Sequence, residues 1–193
     1  MSHNLLLVAA MFSLIFINGL QRAAADEPTA ASGFYERGQS YDKKDEYDKA
    51  IADYSKAIEI NPKFGMAYYM RGSSRYLKGL TGGGDMQFRQ PTYDDAVADS
   101  SKAIKFCTDA EKPFAYLLRG NVYYEQEKID EAIDDFTTSI SLNPKNAMTY
   151  EHRAQAYKKR GEAYRKKGES SKAYSDESKA EDDIKKAEAL KRM

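Results

Sequence analysis

Residues Ala115 to Pro144 read AYLLRGNVYYEQEKIDEAIDDFTTSISLNP. Apolar and small residues fall there at helical spacing in two blocks, Tyr116, Leu117, Gly120, Tyr123 and Tyr124, then Ile129, Ala132, Ile133, Phe136 and Ile140, with a break at Glu127 and Lys128. Two such blocks around one break predict a helical hairpin. Gly120 and Ala132 put one small residue on each helix, where two backbones can approach closely and let Tyr123 and Phe136 wedge beside them. Asn143-Pro144 ends the second helix, because proline disfavours the α conformation in the residue before it.

The pattern recurs along the chain. Gly38 to Gly72 is 34 residues and Gly120 to Ala154 is 34 again, while Gly72 to Gly120 is 48, or 34 plus 14. Ala50 to Ala96 is 46 and Ala96 to Ala132 is 36, so twelve of the extra residues fall inside the second hairpin and two between it and the third. A 34-residue helix-turn-helix period with small residues at these places resembles the tetratricopeptide repeat. The residues that carry it are Phe34, Gly38, Tyr41, Ala50, Tyr54, Ala57 and Pro62, then Tyr68, Gly72, Ala96 and Ala103, then Tyr116, Gly120, Tyr123, Ala132, Phe136 and Pro144. The resemblance implies an all-α, right-handed superhelical solenoid of four hairpins, with repeats at about 31–64, 65–112, 113–146 and 147–193.

The 193 residues carry 30 basic and 30 acidic side chains, so no global charge recruits nucleic acid or membrane. Leu5 to Ile17 is an apolar run of 13, short of the roughly 20 residues that span a bilayer as a helix. The small residues Ala23, Ala24 and Ala25 follow it, which reads as a secretory signal peptide over 1–25 with Asp26 as the first mature residue, although no Lys or Arg precedes the apolar core. The expected compartment is therefore exported, periplasmic or secreted. Residues 26–32 read as a linker and 33–193 as the repeat domain. Cys107 is the only cysteine, so no disulfide forms within the chain.

Within the first hairpin, YDKAIADYSKAIEI puts Ala50, Tyr54, Ala57 and Ile58 on one face, and Asp48, Asp53, Lys56 and Glu59 on a face expected to be solvated. In the second, Gly79 to Pro91 has no helical period and reads as a surface loop, with Met86 and Phe88 as candidate partner contacts and Thr92 and Asp95 as a capping-box-like helix start. Its three successive glycines have neither a preceding strand nor a following Gly-Lys-Ser/Thr, which argues against a phosphate cradle. Arg75 replaces an expected aromatic, and Ser100 stands where Tyr54 and Phe136 stand, which predicts a looser core. In the fourth hairpin, Ala132 to Ala180 is 48, again 34 plus 14. Gly161 and Ala173 are themselves twelve apart, so each helix is expected to gain about two turns and the turn to move to about Gly168. Its last helix is rich in charge and reads as a polar cap.

Chemistry is sparse. Past the leader the chain holds one histidine, His152, and one cysteine, Cys107, in different repeats, and no nucleophile elbow, zinc-protease or Cys-x-x-Cys motif. The acidic pairs Asp94-Asp95 and Asp134-Asp135 recur at equivalent positions, the mark of a structural repeat. The sequence thus reads as non-catalytic, with no cofactor and no metal.

In tetratricopeptide arrays the first helices line a concave groove that commonly holds peptides or protein partners. The resemblance places Tyr35 and Gln39, then Met66, Tyr69, Met70, Ser73 and Tyr76, then Phe114, Leu117, Leu118, Asn121 and Tyr124, then His152 and Gln155 along it, with about half expected to pack the hairpins together. Some family members grip a C-terminal carboxylate with Lys, Asn and Arg. The matching places here hold Tyr35, Gln39 and Met70, so that clamp is absent and a hydrophobic or mixed peptide is the expected ligand. A second candidate surface is the basic run Lys158, Lys159, Arg160, Arg165, Lys166 and Lys167, six cations against Glu162, as a contact for anionic membrane or another polyanion.

Overall fold

The computed structural model describes residues 30–82 and 86–192, with the side chains of 86–88 left aside. The predicted leader and its cleavage point lie outside the described residues, as do the side chains of Met86 and Phe88. Among the described residues there are eight helices and no strand: α1 Ala31–Asp42, α2 Tyr47–Ile60, α3 Gly65–Thr81, α4 Met86–Phe106, α5 Lys112–Glu125, α6 Ile129–Leu142, α7 Ala147–Lys166 and α8 Ser170–Lys191. They pair as four hairpins, α1/α2 to α7/α8, and each second helix packs on the first helix of the next hairpin. The first helices also touch in succession, α1 to α3, α3 to α5 and α5 to α7, whereas second helices do not touch one another. The stack therefore curves, with first helices on its inner side.

The helix-helix seams are made of small residues. Ala50, Ala57, Ala96, Ala103, Ala132 and Ala180 are fully buried, which lets the backbones come close. At three seams an aromatic ring lies on a glycine: Tyr54 on Gly38, Tyr93 on Gly79 and Phe136 on Gly120. The hairpins of ordinary length turn at Asp45 and Glu127, both left-handed with φ 58° and 62°, and the fourth turns at Gly168 with φ 77°, as its spacing predicts.

The second hairpin corrects the sequence reading. Most of the expected loop from Gly79 to Pro91 is helix: α3 continues to Thr81, α4 begins at Met86, and Pro91 sits inside α4, where Thr92 and Asp95 cap nothing. Gly79 is buried beneath the ring of Tyr93 and serves packing. The contact that Ser100 cannot make is thus made seven residues earlier, and Gly79 is seven beyond Gly72. The fourth hairpin is built the same way: α7 and α8 have 20 and 22 residues against 14 and 14 in α5 and α6. Both long hairpins add a layer of contacts about two turns further out.

A second correction concerns charge. Asp53, expected on the solvated face, is 3% exposed and takes a bidentate grip from Arg37, at 2.6 and 2.8 Å. The same fork joins Arg71 to Asp99, Arg119 to Asp135 and Arg153 to Asp183, and is repeated in the outer layer of the fourth hairpin by Arg160 and Asp176. Arg75 adds a second cation to Asp99, at 2.5 Å, which accounts for its place in the second hairpin. Three of these arginines also reach back across a junction, Arg71 to the Ser55 hydroxyl, Arg119 to Ser101 and Arg153 to Thr137, at 3.0 to 3.1 Å. Other side chains span the same junctions: Ser74 to Asp42 and Lys78 to Asp48 between hairpins one and two, Gln126 to Asp94 between two and three, and Lys159 to Glu127 and Arg160 to Asp130 between three and four. Each buried aspartate is thus satisfied by a planar, permanently charged partner, the arrangement a desolvated carboxylate requires.

The outer face of the last hairpin is polar. Glu188 stands at the helix position of Ile58, Ile104 and Ile140, and is exposed. Lys191 pairs with Glu151 on the same face.

Candidate functional site

The inner side of the curve is lined by α1, α3, α5 and α7, and its lining differs from repeat to repeat. Tyr35 is half-buried, its ring 5.0 Å from that of Phe64 and 5.7 Å from that of Tyr54, and its hydroxyl accepts from Gln39. Met66 and Tyr69 pack beside Cys107 and Ala115 with part of their surface open, and Met70, Ser73 and Tyr76 are likewise half-buried. Leu117 and Leu118 correct the expectation. They are 8% and 6% exposed and belong to the core, Leu117 with Phe136 of its own hairpin and Ala156 of the next, and Leu118 with Tyr93 of the hairpin before. Phe114 on the same helix is 43% exposed, and Met148, its counterpart one repeat on, is 54% exposed. A first helix has only its inward stripe to offer, and Leu117 and Leu118 face the seams on either side of it.

At the middle of the inner side, Tyr76, Asn121, Tyr124, Glu125, Phe136, His152 and Gln155 surround a cleft of about 130 Å³. Three successive first helices, α3, α5 and α7, supply all of these except Phe136, which comes from α6 beneath. Asn121 Oδ1 lies 2.6 Å from His152 Nδ1, and the imidazole stands edge-on to Phe136 at 5.9 Å. Burial lowers the His152 pKa from its ordinary value, against the smaller opposing pull of Glu151. Tyr76 is pushed up to about 12 by burial, with Glu125 adding to the effect. Both groups are thus neutral at pH 7.

The basic run on α7 is mostly spoken for. Lys159 pairs with Glu127 at 2.7 Å, Arg160 with Asp176 and Asp130, and Arg165 with Glu177. Lys158, Lys166 and Lys167 remain exposed, so the six cations do not form one open patch. Cys107 is buried at the end of α4, where burial pushes its thiol up to about 11, and it shares no packing cluster with His152. Among the described residues no three His, Cys, Asp or Glu side chains converge as a metal site. No described helix is long and apolar enough to cross a membrane. The arrangement offers shape, rings and hydrogen bonds at one inner surface, the equipment of a binding face.

A curved stack of antiparallel hairpins with this seam chemistry is an α-helical repeat solenoid. Residues 31–64 and 113–146 each match the tetratricopeptide repeat family model. The two matched stretches are the two hairpins of ordinary length. Among curated proteins, the mitochondrial import receptor subunit TOM70 of Homo sapiens is 26% identical over 140 residues, 72% of this chain, and that of Rattus norvegicus is 27% identical over 131 residues, 68% of this chain. The chain spans only 22% and 20% of the length of those relatives. Among solved structures, MamA 41-end from Desulfovibrio magneticus RS-1 superposes with a TM-score of 0.65 at 18% identity, covering 95% of both chains. The first TPR of Spaghetti (RPAP3), bound to the HSP90 peptide SRMEEVD, gives 0.56 at 23% identity, covering 67% of this chain and 92% of that one. These superpositions establish the shared solenoid fold.

Proposed function

We propose that this chain is a non-catalytic binding module that holds an extended segment of a partner protein along the inner face of its solenoid. The observation that carries the reading is the row of partly open rings and thioethers on successive first helices, Tyr69 and Tyr76, Phe114 and Tyr124, and Met148, around the cleft of Asn121 and His152. Tyrosine supplies rigid contact area with a polar tip and methionine repacks around varied surfaces, a combination suited to peptides. The peptide in the Spaghetti domain ends in the acidic series EEVD. The positions matched here to a tail clamp hold Tyr35, Gln39 and Met70, so this groove is assigned to an internal or mixed apolar segment instead.

Capture tests the reading. Tyr69→Ala combined with Phe114→Ala removes two inner-face rings while sparing the buried Leu117. It is expected to keep the helical circular dichroism of the parent and to lose partner proteins retained from an extract of the native compartment. Retention equal to the parent's would remove the groove from the proposal. The compartment we assign is the exported one, resting on the apolar run and the Ala23 to Ala25 series. The mass of the protein recovered outside the cytoplasm should then begin at Asp26, and an intact Met1 overturns that assignment.

A further inference from the structure

The contact between Asn121 and His152 fixes more than two side chains. An amide oxygen only accepts, so at the 2.6 Å contact the proton lies on Nδ1 of the ring. In the neutral imidazole Nε2 is then an acceptor, and the Asn121 amide is oriented with Nδ2 as a donor. Neither Nε2 nor Nδ2 has a partner among the described residues. Nor is either among the buried polar atoms without one, which are Arg89 Nε, the Tyr93 hydroxyl, Gln126 Oε1 and Thr149 Oγ1. Both therefore meet solvent, at the cleft they line with Tyr76, Tyr124 and Gln155.

One donor and one acceptor lining the same cleft match a particular shape. In extended backbone the N–H and C=O of a single residue point to the same side of the chain, as they do when a residue exchanges both bonds with its neighbour in an antiparallel sheet. We infer that Asn121 and His152 together read one residue of an extended peptide, Asn121 Nδ2 donating to its carbonyl and His152 Nε2 accepting from its N–H, and that protonation of His152 switches this grip off. The inference rests on the groove reading and adds to it the register point and the control. The imidazolium has no acceptor nitrogen, so it faces the peptide N–H donor to donor.

The ionisable groups around the ring are few. Glu151 is its chain neighbour, Glu125 and Tyr124 come from α5 and Tyr76 from α3, with Lys159 over the Tyr124 ring and Lys191 on Glu151. Tyr76, raised by burial, does not titrate on the acid side of neutrality. The two carboxyl groups are separated from the histidine by His152→Gln, which keeps an amide acceptor at the site and has no proton to gain.

The experiment uses the full chain and random ten-residue peptides displayed on phage, selected at pH 7.5 and remade with a fluorescent label. Anisotropy is expected to show affinity falling about tenfold between pH 7.5 and pH 5.0, the worth of one hydrogen bond. The fall should vanish in His152→Gln. Methylating the backbone nitrogens of a selected peptide one at a time should find one position that costs the parent about tenfold and costs His152→Ala nothing. Long-range proton-nitrogen spectra should place the neutral proton on Nδ1. Peptides that bind equally at both pH values, a fall that persists in His152→Gln, or identical methylation profiles in parent and His152→Ala overturn the inference and leave the groove reading standing. A selection that recovers no peptide overturns both.

Discussion

Gly120→Ala and Gly161→Ala are the same change in the same kind of place, and they should move stability in opposite directions. Both glycines lie inside first helices, where alanine is favoured over glycine by about 0.5–1 kcal/mol. At Gly161 a new Cβ would meet nothing nearer than the Ala173 carbonyl oxygen at 3.4 Å, an ordinary contact, so that gain is realised. At Gly120 the Cβ would lie 2.6, 2.8 and 3.2 Å from three carbons of the Phe136 ring. Carbon atoms rest about 3.5–4.0 Å apart, so the ring must retreat by about 1 Å. It is 1% exposed and packed among Leu117, Ala132, Ile133 and Ala156, with nowhere to go. Overpacking of this kind costs about 1–3 kcal/mol, which leaves Gly120→Ala less stable by about 1–2 kcal/mol after the helical gain. Urea unfolding followed by far-ultraviolet circular dichroism measures both variants, and the cost of Gly120→Ala should shrink in a Phe136→Leu background. Shifts of the same sign in the two variants, or an undiminished cost beside Leu at 136, would refute the argument that the ring on the glycine sets the seam.

Asp135→Ala strips the carboxylate from Arg119 and should cost about 3 kcal/mol by urea unfolding, whereas Asp109→Ala, which removes only an exposed carboxylate from Lys112, should leave the unfolding midpoint where it was. Arg119→Lys should recover little of the parent's stability, since an ammonium cannot reproduce the two-pronged bond. Cys107, pushed up to about 11 from 9.0 by burial, is almost wholly thiol at neutral pH, so iodoacetamide should label it slowly in the native chain and promptly in urea; equal rates would place the sulfur at the surface. His152 has its pKa lowered in the folded state, so between that value and 6.5 the unfolded chain holds the extra proton. The stabilising contribution is whole above pH 6.5 and is lost as pH falls through that window. The unfolding midpoint should therefore decline with acid more steeply in the parent than in His152→Gln, and parallel declines would contradict the assignment.

Periodicity made the hairpins legible. The 34-residue spacing, the small residues and the breaks at Glu127-Lys128 and Gly168 are local signals, and a left-handed residue stands at each of those turns. What the sequence concealed was partnership at a distance. Asp53 looks like one more charge on a wet face until Arg37, sixteen residues earlier on the other helix, is seen to bury it. Three consecutive glycines and Pro91 look like a loop, yet Tyr93 needs Gly79 beneath it, and that packing holds both helices beyond their usual ends. In the groove, helical register separated the inward stripe from the rest but could not tell Phe114, which is open, from Leu117, which is sealed by the next hairpin. The pairing of Asn121 with His152 joins two repeats and left no local trace.

The polar links across the junctions are not evenly shared. Between hairpins one and two run those of Arg71, Ser74 and Lys78, and between three and four those of Arg153, Arg160, Lys159 and His152, but between two and three the described residues give only Arg119 to Ser101 and Gln126 to Asp94. A molecule stretched from its two ends by a tether should accordingly part at the centre, shedding one half of its length in a single step while the other half still bears load.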